Sequence, residues 1–274
     1  MMTENAMMLT VAPNGARLTQ QDHPALPITP DELARCAAEC LEAGAGMIHL
    51  HVRDGDQKHV LDGDGYREAI AAIRRDLGDK IVIQVTTEAV GMYRSEQQIS
   101  LVRDVKPEAV SLGLRELLPV DGDEKIFAEF WNWMKAESIW PQVILYDDHD
   151  VRRLVDLQKR GVIEADRLSV LFVLGRYGKQ QAAPIELVAF LNAMGERSDW
   201  DWSVCAFGDR ENGCITAAAC LGGHGRIGYE NNRLMADGSI SKDNAALIAQ
   251  AVTSARLVGR TPMAATDIRQ RFMR

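Results

Sequence analysis

Short β-branched or apolar runs alternate with longer amphipathic patterns along the 274 residues, and this alternation constrains the fold more than any other feature. The runs Met8–Ala12, Met47–Val52, Ile81–Thr86, Ala109–Leu112, Gln142–Tyr146, Arg167–Val173, Trp202–Ala206 and Gly225–Gly228 read as strands. Helical patterns follow them near 30–43, 65–77, 95–105, 124–138, 148–160, 183–195, 211–221 and 243–258, with one more near 265–273. Eight strand–helix units in a chain of this length match a (β/α)8 TIM barrel. An open doubly wound sheet would use fewer strands or a glycine-rich first turn. The first turn here, Ala12-Pro13-Asn14-Gly15-Ala16, has no GxGxxG. Thr29, Pro30 and Glu32 form a helix-start signature, and Gly44 follows the end of that helix. No Ser/Gly linker, charge block or low-complexity tract divides the chain. The expectation is one barrel domain over 1–274, with a short C-terminal helical extension.

A barrel places reactive groups at the C-terminal ends of its strands. The segment Met47-Ile48-His49-Leu50-His51-Val52-Arg53-Asp54 is the most informative in that respect. Alternate side chains of a strand share a face. Ile48, Leu50 and Val52 then face the packing helices, while His49 and His51 face the lumen near its mouth. Two imidazoles at i and i+2 reach one ion, and neutral imidazole is a good Zn²⁺ ligand. The competing reading is two core histidines satisfied by hydrogen bonds. A catalytic zinc takes three protein ligands and keeps one position open. Glu230, just past the eighth strand, is a candidate third ligand, though spacing alone does not decide it. The cluster Asp147-Asp148-His149-Asp150 follows the fifth strand and reads better as an acidic helix start.

Thirty-nine acidic residues against thirty-one basic ones give a formal charge of −8, which argues against a nucleic-acid binder. No apolar stretch is long enough to span a membrane, and the segment MMTENAMMLTVAP lacks a signal-peptide pattern. None of the five cysteines forms a CxxC pair. Cys36 and Cys40, four apart on one helix face, read as buried free thiols. A reduced, cytoplasmic enzyme or binding protein is expected. The helix carrying Phe127, Phe130, Trp131 and Trp133 reads as packing on its own barrel, with an interface as the alternative.

The chain resembles the β-keto acid cleavage enzyme family. The resemblance is carried by Ala12-Pro13-Asn14-Gly15-Ala16-Arg17, Leu26-Pro27-Ile28-Thr29-Pro30-Asp31-Glu32, Glu42-Ala43-Gly44-Ala45, the His49-to-Asp54 block and Arg226-Ile227-Gly228-Tyr229-Glu230-Asn231-Asn232. It implies a zinc ion, or another divalent metal, on His49, His51 and Glu230. It also implies a reaction of a β-keto acid with acetyl-CoA, giving acetoacetate and a new CoA thioester, and assembly as a homotetramer. Where the family commonly has Glu-Asp-Asn, with the aspartate as proposed base, this chain reads Glu230-Asn231-Asn232. Asparagine is no base at neutral pH. Asp54 is a possible substitute base, and a salt bridge with an arginine such as Arg53 is the competing reading. Arg226 is kept and can stabilise an enolate or orient a carboxylate.

By the same resemblance, hydroxyls at the ends of the third and fourth strands, Thr86 or Thr87 and Ser111, bind substrate. Family members that take amino-bearing keto acids carry an acid where this chain has Arg17, and a second acid at a position that aligns with Ile144. Arg17 therefore points to a non-cationic substrate, such as a β-keto dicarboxylate. Arg115 is a second candidate anion contact. Arg210 and the glycine run around Gly223 are candidate contacts for the CoA phosphates. A zinc aldolase, decarboxylase or hydrolase that uses no CoA is the alternative, and a non-catalytic keto-acid or CoA-ester binding barrel is a third class.

Overall fold

The computed structural model describes residues 5–178 and 180–273. Eight strands close into an all-parallel barrel in chain order. They are β1 (Leu9–Val11), β2 (Met47–Leu50), β3 (Val82–Thr86), β4 (Ala109–Gly113), β5 (Trp140–Leu145), β6 (Leu168–Leu174), β7 (Trp200–Ala206) and β8 (His224–Ile227). The main helices are α1 (Pro30–Ala43), α2 (Gly63–Leu77), α3 (Ser95–Val105), α4 (Glu124–Ala136), α5 (Asp148–Lys159), α6 (Leu187–Met194), α7 (Glu211–Cys220), α8 (Asn244–Leu257) and α9 (Ala265–Phe272). The alternation legible in the sequence is thus a (β/α)8 barrel.

Local chemistry explains the boundaries. Thr29 Oγ1 accepts from the Glu32 N–H at 3.3 Å, the Glu32 carboxylate accepts from the Thr29 N–H at 2.9 Å, and Gly44 closes α1 in a left-handed conformation. Asp147 caps α5 by accepting from the Asp150 N–H at 3.0 Å, so that acidic cluster is a helix start. Cys36 and Cys40 are both buried, with sulfurs 3.9 Å apart. Phe127, Phe130, Trp131 and Met134 of α4 are buried in the shell between helices and strands.

Three layers fill the lumen. The floor is apolar: Met8, Met47, Val82, Ala109 and Trp140 pack on Met263, Ala265 and Ile268. Helix α9 therefore plugs the N-terminal end of the barrel. The middle layer is polar and buried, with Gln84, Gln142, Ser169 and Ser203 joined by side-chain hydrogen bonds. Near the mouth, Ile144, Leu171, Val173 and Cys205 form a small apolar cluster on one side. Polar groups are thus kept where chemistry can use them and are satisfied beneath it.

Strand β2 is shorter than its apolar run suggests. It ends at Leu50, and Val52–Arg53 peel away to pair antiparallel with His59–Val60. The Arg53 guanidinium fixes this departure by donating to the carbonyls of Asn14, Gly15 and Gln57. His51 is left at the exit of the strand.

Candidate active site

The strand pleat and the β8 exit loop bring three donor atoms together at the barrel mouth. His49 Nε2 and His51 Nε2 are 3.2 Å apart, and Glu230 Oε2 lies 3.4 Å from the first and 3.3 Å from the second. Both imidazoles are buried, and Glu230 is nearly so. No other group of three or more metal-ligating side chains clusters this tightly among the described residues.

Hydrogen bonds on the far side of each ring fix the tautomers. His49 Nδ1 lies 2.8 Å from Gln84 Oε1, which only accepts, because the Gln84 amide nitrogen donates to Gln142. His49 Nδ1 therefore carries the proton, and Nε2 presents a lone pair. His59 Nε2 donates to the Glu88 carbonyl at 2.9 Å, which leaves His59 Nδ1 as an acceptor. His51 Nδ1 donates to it at 3.4 Å, so His51 Nε2 also presents a lone pair. Burial pushes the His49 imidazole down to about 3 and the His59 imidazole down to about 4, so both rings are neutral.

Burial opposes ionisation of Glu230, but the Arg226 guanidinium beside it outweighs that and holds its carboxyl well below the usual range. Arg226 Nη2 donates to Glu230 Oε1 at 2.7 Å, while Glu230 Oε2 is buried without a hydrogen-bond donor. Three lone pairs thus face one another at van der Waals range or closer. That arrangement is repulsive unless a cation lies among them, and two imidazoles with one carboxylate are a zinc donor set. The residues fit a divalent metal.

The other residues singled out by the sequence fall into two groups. Arg226 is buried, and its Nη2 also contacts Cys205 Sγ at 3.4 Å and Asn231 Oδ1 at 3.3 Å. Asn231 Nδ2 and Arg226 Nε are buried without partners beside the triad. Thr86 and Ser111 share the lumen, with hydroxyls 3.5 Å apart. Arg17 stands at the rim, its guanidinium 5.0 Å from the centre of the Tyr177 ring and lining a small cavity with Glu88 and Glu230. Among the described residues no carboxylate pairs with Arg17.

The remaining candidate positions make other contacts. Asp54 is exposed in the hairpin turn, and its carboxylate accepts from the N–H groups of Asp56 and Lys58 at 2.9 Å, so it turns away from the mouth. The Thr87 hydroxyl donates to the Ser111 carbonyl at 2.9 Å, which leaves its oxygen as an acceptor only. Arg115 is neutralised by Asp147 and Asp150 at the α5 start. Arg210 is exposed at the start of α7 and does not line the cleft at the mouth. Gly223 precedes β8 and so lies at the opposite end of the barrel from the mouth. It is glycine because a Cβ there would collide with the Trp202 ring.

Several site residues were not legible beforehand. A cleft of about 970 Å³ beside Glu230 and Asn231 is lined by Arg176 and Arg233, whose guanidinium groups bond to backbone carbonyls and, among the described residues, to no carboxylate. Glu88 Oε2 is 3.7 Å from His51 Nε2. Burial pushes the Glu88 carboxyl up, and the Glu230 charge adds to that. Gln84 had a signal, a polar residue on the lumen face of an apolar strand. Glu88 had the signal of its place, a carboxylate two residues past the end of β3, whereas His59 and the two arginines had none, because the hairpin after β2 and later loops bring them in.

Comparison with known proteins agrees with this geometry. The model of the β-keto acid cleavage enzyme family matches residues 6–273. The 3-keto-5-aminohexanoate cleavage enzyme of Fusobacterium nucleatum is 31% identical over 271 residues, covering 96% of each chain. The 3-oxoadipate:acetyl-CoA acetyltransferase of Cupriavidus necator is 28% identical over 265 residues, covering 92% of this chain and 89% of that one. Among solved structures, the binary complex of ObcA with oxaloacetate superposes with a TM-score of 0.72 at 16% identity, covering 91% of this chain and 67% of that one, and shares the fold. The chain described here belongs to the β-keto acid cleavage enzyme family.

Proposed function

We propose that this enzyme exchanges acyl groups between a non-cationic β-keto acid and acetyl-CoA, releasing acetoacetate and a new acyl-CoA. The observation that carries the reading is the convergence of three bare lone pairs, His49 Nε2, His51 Nε2 and Glu230 Oε2, at the mouth of a barrel of this family. Those residues would hold a divalent cation, zinc being the best match to the donors. Bound there, the metal supplies Lewis-acid polarisation of a keto oxygen.

The chain's own residues supply the rest. Arg226 keeps Glu230 ionised and sets a fixed positive charge beside the place where an enolate develops. The buried Thr86 and Ser111 hydroxyls offer neutral donors to a keto or carboxylate oxygen. Arg17, without a carboxylate partner among the described residues, repels a substrate ammonium and attracts a second carboxylate. This favours a β-keto dicarboxylate, the class that includes the 3-oxoadipate named for the Cupriavidus relative. Arg176 and Arg233 give the cleft two cations suited to the phosphates of a CoA thioester, a role the sequence had suggested for Arg210 and Gly223. The same reading has a homotetramer, as the family resemblance implies, working in the reducing cytoplasm that the free cysteines suggest. No helix among the described residues is long and apolar enough to cross a membrane.

Mass spectrometry tests the reading directly. Zinc-loaded enzyme is mixed with acetyl-CoA and neutral, hydroxylated, amino-bearing and dicarboxylic β-keto acids. The expected result is one new CoA thioester with equimolar acetoacetate, and a preference for dicarboxylic over amino-bearing acids. Loss of a keto acid without CoA consumption would replace this reading with a decarboxylase or aldolase.

A further inference from the structure

Acyl exchange of this kind needs a base for the carbon between the ketone and the carboxylate, and the inference below rests on that reading. Few groups at the mouth qualify. His49, His51 and Glu230 point their lone pairs at the cation position, and Arg226 has none. Asn231 carries an amide, and the Cys205 thiol is buried against Arg226. Asp54 faces solvent in its turn.

Glu88 differs from all of these. Its carboxylate lies beside His51 and lines a small cavity together with Arg17, Tyr177, Phe207 and Glu230. Its backbone is held on both sides: the Glu88 N–H donates to Thr86 Oγ1 at 3.0 Å, and the Glu88 carbonyl accepts from His59 Nε2 at 2.9 Å. The next N–H, of Ala89, donates to the Glu116 carboxylate at 3.0 Å, and Gln98 ties that carboxylate to the Thr87 carbonyl. Among the described residues the Glu88 carboxylate itself accepts no hydrogen bond. A solvated surface glutamate needs no such mounting. A fixed backbone with an uncommitted carboxylate at the mouth suits a group that must meet a substrate at a set place.

We propose that Glu88 is the general base. Its carboxylate takes the C2 proton of the β-keto acid. The electron pair of that C–H bond forms the new bond to the acetyl carbonyl carbon, and CoA thiolate leaves. The thiolate then adds to the original ketone carbon, the bond between that carbon and C2 breaks, and the acetoacetate enolate recovers the proton from Glu88. Protons and electrons balance without an external oxidant or reductant.

Glu88→Gln and wild type are compared in three measurements, with 3-oxoadipate as probe: zinc content, kcat with acetyl-CoA, and exchange of C2 hydrogens in D₂O without acetyl-CoA, followed by NMR above the buffer rate. The expected result is unchanged zinc, a kcat lower by about 10²-fold or more, and loss of the enzyme-dependent exchange. Wild-type rates in the variant overturn the proposal. So does zinc lost in parallel with activity, which makes Glu88 a ligand. Exchange by the wild type that Glu88→Gln abolishes, with no thioester formed by either, upholds Glu88 and overturns the acyl-exchange reading. A wild type that catalyses neither process overturns both.

Discussion

The metal centre depends on contacts one atom wide. Glu230 is seated against Gly15, whose φ of +59° lies in the left-handed region and whose missing Cβ would stand 2.6 Å from Glu230 Cγ. Gly15 thus serves the site in two ways: it turns the chain after β1, and it leaves room for the third ligand. Gly15→Ala strains that turn and pushes Glu230 out of line with the imidazoles. Zinc affinity should fall on the order of 10- to 100-fold, the range seen when a ligand's support is disturbed. Titration against a zinc buffer measures it, and an affinity equal to wild type would show that Glu230 can retreat without leaving the ion. The His-x-His pair was legible because a period of two is a direct reading of strand geometry. The bond from His59 to His51 was not, because it depends on how the hairpin after β2 folds back.

Whole elements hold the ligands in register. Helix α7 begins with the buried Glu211, whose two oxygens accept from the Gly228 N–H at 3.2 Å and from Asn232 Nδ2 at 3.1 Å. These bonds span Glu230 in sequence, so α7 grips the loop carrying the third ligand at both its ends. Asn244, at the start of α8, adds a second grip through the Tyr229 N–H and the Pro13 carbonyl. Glu211→Ala removes no ligand yet should weaken zinc binding by about tenfold or more and lower the melting temperature. Zinc affinity unchanged in a destabilised variant would confine Glu211 to folding. Strands and helices were legible here because each is written in local periodicity and caps, as with Thr29, Glu32 and Gly44 around α1. The placing of Gly223 was not. A glycine-rich run looks the same before a strand as after it, and only the direction of β8 shows that this one lies at the floor.

Across the whole barrel, stability is tied to pH through histidines held neutral away from solvent. His224 is the one most remote from the mouth. It sits at the foot of β8, where Nδ1 accepts from the Met8 N–H at 3.1 Å and the ring meets the Phe272 edge of the α9 plug. Burial pushes its imidazole down to about 3. An unfolded histidine titrates near 6.5, so above that pH both states are neutral and the full native contribution is present. As pH falls below 6.5 the unfolded chain takes up a proton that the folded chain refuses, and stability is lost until the folded value is reached. The loss runs at about 1.4 kcal/mol per pH unit, or about 2 kcal/mol between pH 6.5 and 5. His224→Asn keeps an acceptor for Met8 but cannot be protonated. It should be less stable than wild type at pH 7, with the gap closing by about 2 kcal/mol at pH 5 in denaturant titrations. A gap of constant size would mean that His224 takes up protons in the folded barrel as readily as in the unfolded chain, and that the α9 plug does not keep the floor dry.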